Sequence, residues 1–156
     1  MSVIRRVALI CLAALSSAAF LAAKPNFSGE WVMNATKSDF GPIPAPTKMV
    51  RTIKHEDPEL QIKNQQSGAQ GEITSELKYT TDGKEVTNTT RGGEVKGTCK
   101  WDGDALVIES KRTIQSMEIT QTDRWSMGAD GKSMKVESTL KTPQGDFNIT
   151  IAFDKQ

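Results

Sequence analysis

Histidine occurs once in this 156-residue chain, tyrosine once and cysteine twice. A single histidine, His55, does not make a histidine-rich zinc site, and no cysteine pair offers sulfur ligands. Asp102-Gly103-Asp104 is too short for a calcium loop and reads instead as a hairpin. No Gly-x-Ser-x-Gly elbow and no glycine-rich phosphate loop occur. Any Ser-His-Asp set would have to be assembled from His55 and scattered serines. Catalysis therefore has no anchor, and neither metal nor cofactor is expected. An excess of one charge is also missing, with 20 Lys and Arg against 19 Asp and Glu. That balance argues against a nucleic-acid partner or an anionic membrane surface, both of which need a basic excess.

The one long apolar run is N-terminal. Met1 to Arg6 is basic, Val7 to Leu15 is apolar, and Ser16 to Ala23 is small and apolar. This is the layout of a cleavable secretory signal ending at Ala23, with Ala19 as the alternative cut. Val7 to Ala23 reaches the lower length limit of a membrane anchor, but the small residues at its end suit a peptidase and no basic stop-transfer cluster follows. Cys11 does not read as a lipidation site, since Ile10 before it is too large. The expectation is an exported protein, periplasmic or secreted, with no stable membrane insertion once residues 1–23 are removed. The remaining residues, 24–156, suit one domain with a core of its own. Cys99 is their one cysteine, so stability must come from packing rather than a disulfide.

What the mature chain has in abundance is alternation. Phe147 to Phe153 is apolar at every odd position, Met134 to Leu140 repeats the pattern on even positions, and Met117 to Met127 follows it again. Asp82-Gly83, Asp102-Gly103 and Asp130-Gly131 mark hairpin turns, and Gly92-Gly93 and Pro143-Gln144-Gly145 mark two more reversals. About ten strands follow by the pattern rules. They fall near 27–34, 47–56, 59–65, 71–81, 84–91, 94–101, 104–112, 115–127, 132–141 and 146–154. Short connections make an antiparallel up-and-down meander, which avoids exposed edges by closing into a barrel. The stretch 36–47 holds prolines at 42, 44 and 46 and is expected to be a loop without helix or ladder, flanking the entrance or covering an end.

Gly29-Glu30-Trp31, opening the first strand of such a meander, resembles the calycin group of lipocalins and fatty-acid-binding proteins. Lys100 to Ile108, "KWDGDALVI", is similar to a hairpin of fatty-acid-binding proteins, and Thr122-Asp123 resembles the start of a second lipocalin motif. The whole mature chain also resembles a group of small exported bacterial proteins of uncertain function. The resemblance implies an all-β lipocalin-like barrel of about 8–10 strands, closed at one end by Gly29, Trp31 and a basic residue of the last strand, here Lys155. Two departures matter. The proline-rich stretch replaces the helical lid of fatty-acid-binding proteins, and the last strand, Phe147 to Phe153, lacks their carboxylate-gripping Arg-x-Tyr.

Strand parity separates the two faces of each strand. The apolar face also carries Arg51 and His55 beside Ile53, Ser75 beside Leu77 and Tyr79, and Asn88. Ser110 lies beside Ile108, and Gln121 and Asp123 lie beside Ile119. A dry core would not collect so many polar groups, since each one buried without a partner costs about 1–3 kcal/mol. A partly wet lumen tolerates them, and so do strand ends and bulges. Arg51 calls for an anion, which Asp123 or a ligand carboxylate would supply; an internal ion pair or an outward side chain fits the same residue. Cys99 reads as a small buried hydrophobe. The candidate ligand residues are thus Arg51, Ile53, Leu77, Tyr79, Asn88, Ile108, Ser110, Ile119, Gln121 and Asp123. The function expected is non-catalytic binding of a small, lipophilic molecule. The alternative is a filled barrel whose outer face, bearing Thr87, Thr89, Thr120 and Thr122, meets an envelope component.

Overall fold

The structure, a computed structural model, describes residues 23–156. The leader reading, Cys11 included, falls almost wholly outside them. Ten strands form, all paired antiparallel: β1 (Gly29–Met33), β2 (Lys48–Glu56), β3 (Glu59–Gly68), β4 (Gly71–Thr80), β5 (Val86–Thr90), β6 (Gly93–Asp102), β7 (Ala105–Ile114), β8 (Met117–Met127), β9 (Ser133–Thr142) and β10 (Gly145–Lys155). They make one sheet in the order β4-β3-β2-β1-β10-β9-β8-β7-β6-β5. Neighbours in sequence are neighbours in space, and the pairing of β1 with β10 brings the sheet round on itself. The up-and-down barrel is nearly closed. No described helix is long and apolar enough to cross a membrane.

One seam remains, between β4 and β5, which share no backbone ladder. Asn88 bridges it. Its side-chain carbonyl accepts the Lys78 N–H at 2.7 Å, and its NH₂ donates to the Lys78 C=O at 3.0 Å. A primary amide carries the same donor and acceptor as a peptide group, so it substitutes for one rung of the ladder. Beside it Tyr79 of β4 packs over Gly97 of β6. A Cβ at Gly97 would sit 3.0 Å from the Tyr79 ring and 2.7 Å from the Glu109 carbonyl, so no larger residue fits without movement.

The stretch between β1 and β2 departs from expectation. Ala35–Lys37 forms a 3-10 turn, ahead of the prolines rather than among them. Asp39 then pairs with Thr150 of β10 through both backbone bonds, each 2.7 Å, and Ala152 donates its N–H to Ser38 Oγ. The segment thus continues the short β1 along the upper part of β10, and Phe40 and Ile43 pack against the core. Strand β1 also begins two residues later than its apolar pattern, because Phe27 and Ser28 turn beneath the barrel. The β7–β8 reversal at Gln115 and Ser116 uses two positive φ angles, 48° and 66°, without glycine. Turn residues of that kind leave no sequence mark, so the alternation alone runs β8 two residues too far.

The bridging amide carries a quantitative expectation. Replacing Asn88 with alanine leaves the Lys78 N–H and C=O without their partner and should lower unfolding stability by about 1–2 kcal/mol. Urea denaturation followed by tryptophan fluorescence measures this. The outward neighbour substitution Thr87→Ala should stay within about 0.5 kcal/mol.

Candidate ligand site in the barrel lumen

The barrel has two unlike halves. One end collects the turns after β2, β4, β6 and β8 together with residues 23–28, and most of its inward side chains are buried, Trp101 and Met127 being half-buried. Phe27, Trp31, Leu60, Leu106, Trp125 and Phe153 are all closed to solvent there. The other end collects the turns after β3, β5, β7 and β9 and the 34–47 segment. Several of its inward positions, among them Ile73, Ser75, Leu77, Ile119, Gln121, Leu140 and Phe147, remain half-buried, while Met49, Val95 and Ile149 are buried. Ile114 at this rim is the exposed large hydrophobe among the described residues, at 37 %. These inward side chains keep solvent contact at this end of the barrel, its mouth. Two outer clefts also exist, of about 650 Å³ on β6–β8 and about 180 Å³ on β2–β4, lined mostly by outward charged and polar residues.

All ten candidate residues lie on inward-facing positions of their strands, but they do different things. Ile53, Tyr79 and Ile108 belong to the packed core, and Leu77 packs against its top. Ser110, Ile119, Gln121 and Asp123 are half-buried around the open half. Asn88 is committed to the seam. Its amide donor and acceptor are both used on Lys78, which leaves it little capacity for a ligand. Arg51 occupies the boundary between the two halves.

The Arg51 side chain is 7 % exposed. Its guanidinium lies 4.9 Å from the ring centroids of both Trp125 and Phe153, and Nε donates to Asn64 Oδ1 at 2.7 Å. Stacking suits a planar, weakly hydrated cation better than it would suit a lysine. Burial pulls Arg51 down to about 10, while the charge of Asp123 pushes the other way, so the group is still a cation at neutral pH. Asp123 makes no ion pair with it. Oδ1 of Asp123 accepts from Ser138 Oγ at 2.6 Å and from Gln121 Nε2 at 2.9 Å, and Oδ2 accepts from Gln121 Nε2 at 3.1 Å. Nη1 of Arg51 is buried with no hydrogen-bond partner. The anion expected for Arg51 is thus not supplied by a contact inside the described chain.

Asn64, Arg112 and Ser138 are inward polar residues missing from the candidate set. Asn64 and Ser138 follow Ile62 and Val136 at the strand period of two, so parity marks them. Arg112 falls at the expected end of β7, where a charge reads as a strand terminus. The strand runs on to Ile114, which brings Arg112 onto the inner face opposite Ile119, with Nε buried and unpartnered.

The packed end is tied by polar contacts. Phe27 donates its N–H to His55 Nδ1 at 3.2 Å, which puts the ring proton on Nε2, 3.5 Å from Asp57 Oδ1. That last contact is electrostatic rather than a formed hydrogen bond. Asp57 Oδ1 also accepts from the Thr81 hydroxyl and from Trp101 Nε1. His55 and Asp123 therefore face separate sets of partners. Trp31 donates Nε1–H to the Phe27 carbonyl at 2.9 Å, and Lys155 Nζ lies 5.3 Å from the Trp31 ring centroid. Gly29 has φ of 135°, and a Cβ there would meet Lys155 Cε at 2.6 Å, so the glycine of Gly-x-Trp gives the lysine its path.

No sequence family and no curated protein matches this chain. Solved structures do. Zebrafish ileal bile acid-binding protein, complexed with cholic acid, is 19 % identical over 83 % of this chain and 98 % of its own, with a TM-score of 0.56. A secretory abundant heat-soluble protein of Ramazzottius varieornatus is 18 % identical over 86 % and 98 %, at 0.56. Human cRBP IV is 18 % identical over 84 % and 98 %, at 0.51. The fold is a lipocalin-like up-and-down barrel, shared with these structures. Its interior, rather than its ancestry, has to carry any statement about a ligand.

The packed end predicts an acid sensitivity. Hydrogen bonding from Thr81 first, then from Trp101, with His55 nearby, holds Asp57 below its ordinary 3.8. A depressed folded value means that this stabilisation is present above pH 3.8 and is lost as pH falls through the lower value. Asp57→Asn should remove that part of the acid transition, read by unfolding midpoints between neutral pH and pH 2. Burial at 0 % exposure pushes the Cys99 thiol up to about 12, so a thiol reagent at pH 8 should modify it only after denaturation.

Proposed function

We propose that the protein is exported after loss of residues 1–23, and that residues 24–156 act as a single-domain, non-catalytic barrel binding a small lipophilic molecule in its open half. One observation carries this reading. Leu77, Ile119, Gln121, Leu140 and Phe147 stay half-buried on the inner face of the mouth half, although Met49, Val95 and Ile149 there are buried, while Trp31, Leu60, Leu106, Trp125 and Phe153 of the other half are closed to solvent. A folded chain does not leave Leu77, Ile119, Leu140 and Phe147 partly wet on an inner face without cost, and an apolar guest would remove that area from water at about 25 cal/mol per Å². The fold supports the reading, since one barrel of this shape is known with cholic acid bound.

The test is a titration of the mature protein with the neutral fluorophore 1-N-phenylnaphthylamine. Saturable binding near one per chain is expected. Leu77→Trp and Ile119→Trp, which place bulk in the lumen, should weaken it by about tenfold or more while circular dichroism stays unchanged. A linear, non-saturating response would remove the lumen reading.

A further inference from the structure

The turns at the two ends of the barrel differ in charge. At the packed end every reversal carries an exposed carboxylate: Asp57 after β2, Asp82 and Glu85 after β4, Asp104 after β6 and Asp130 after β8. The reversals at the mouth, residues 69–70, 91–92, 115–116 and 143–144, hold no acid and one cation, Arg91. Hairpin chemistry accepts asparagine as readily as aspartate, so turn formation alone does not account for the contrast. Lys84 and Lys132 are the basic residues of the packed-end reversals, and Lys84 is drawn to Asp82 at 3.4 Å. Among the described residues, Glu85, Asp104 and Asp130 have no ion-pair partner.

The same end already seats a cation. Lys24 Nζ lies 4.7 Å from the centroid of the Trp101 ring. Trp101 is half-buried, whereas Trp31 and Trp125 are closed to solvent. Its Nε1 donates to Asp57 Oδ1 at 3.0 Å, so an aromatic face and a carboxylate adjoin. Thr81 donates to that oxygen too, and His55, 3 % exposed, aims Nε2 at it from the interior without a hydrogen bond. A carboxylate faced by donors keeps its charge. Its second oxygen accepts nothing from the described chain, on a side chain 56 % exposed.

We infer that the packed end is a docking surface for a basic segment of a partner polypeptide, whose lysines or arginines settle on the acidic turns and take the place of Lys24 on Trp101. The acids stand on separate turns around the end, so a single small cation meets one turn while a chain of charges meets several at once. Charge of one sign gathered at one end also steers a basic partner to it during encounter. The surface is distinct from the open half, and the inference stands whether or not the lumen holds a guest.

The test follows residues 24–156 by anisotropy with a fluorescein-labelled peptide of about twelve alternating lysine and serine residues, whose extended length of about 40 Å spans several turns. Near neutral pH and at about 20 mM salt, saturable binding of about one peptide per chain is expected, weakened severalfold at about 150 mM. A peptide of alternating glutamate and serine should not bind. Asp104→Asn with Asp130→Asn keeps turn-forming side chains and should weaken binding by about tenfold. Glu72→Gln with Glu118→Gln makes the same change of net charge beside the mouth and should leave binding within about twofold. Lys24→Ala frees the Trp101 face and should tighten binding severalfold. Absence of saturation at low salt, equal weakening by the two double substitutions, or displacement of the peptide by spermine at equal concentration of charge would each overturn the docking surface.

Discussion

A sheet that curls into a barrel must meet itself, and in this chain the meeting is made by a side chain. Eight of the nine successive strand pairs in sequence share a backbone ladder, β1 pairs with β10, and only β4 and β5 do not pair. An unpaired stretch of backbone on either side would be an edge, open to water and to other chains. The amide of Asn88 supplies the missing donor and acceptor to Lys78, and Tyr79 laid over Gly97 seals the gap just beside it. Ring closure fixes the circumference, and the circumference decides how much side chain the interior holds. The division into a packed half and an open half follows from what the strands then send inward.

That division is written in residue size. Toward the packed end the inner face offers Trp31, Trp125, Phe153, Leu60 and Met134, and Phe27 closes the bottom like a stopper. Ser28 fastens the stopper: its hydroxyl donates to the His55 carbonyl at 3.0 Å and accepts the His55 N–H at 2.9 Å, doing for one residue what a strand would do. Toward the mouth the inner face offers fewer large rings and more small or polar groups: Ser75, Ser110 and Gln121 stand beside Ile119, Leu140 and Phe147. The first half concentrates the apolar burial that stabilises the fold.

The barrel was legible in the sequence because alternation with a period of two is a local signal, and Asp-Gly turns mark several of the reversals. Parity likewise places Arg51, Ile119, Gln121 and Asp123 on the inner face, since side-chain direction in a strand is dictated by position alone. What parity leaves open is depth and partner. Ile53 and Leu77 look alike as letters, yet one is core and the other borders the open half, because depth depends on which end of the barrel each strand presents. Asn88 reads as a polar lumen residue, and only the location of the seam reveals that its amide is committed to backbone. The pairing of Asp123 with Ser138 and Gln121, rather than with Arg51, joins residues on two strands with the register set by the turn between them. The 3-10 turn at Ala35–Lys37 and the Asp39–Thr150 bridge arise from contact with a strand more than a hundred residues away.

Polarity inside a barrel is usually a cost, and here its arrangement explains why it is borne. A lone buried carboxylate beside a lone buried arginine would be expected to collapse into an ion pair, since each is expensive to desolvate alone. That collapse is prevented by giving Asp123 its own donors, Ser138 and Gln121, and by holding Arg51 away on two aromatic faces and Asn64. The two charges are close enough for Asp123 to favour the cation, yet the guanidinium keeps a nitrogen unspent. Keeping a charge while withholding its partner costs stability. A structural ion pair would have been simpler to build from the same residues.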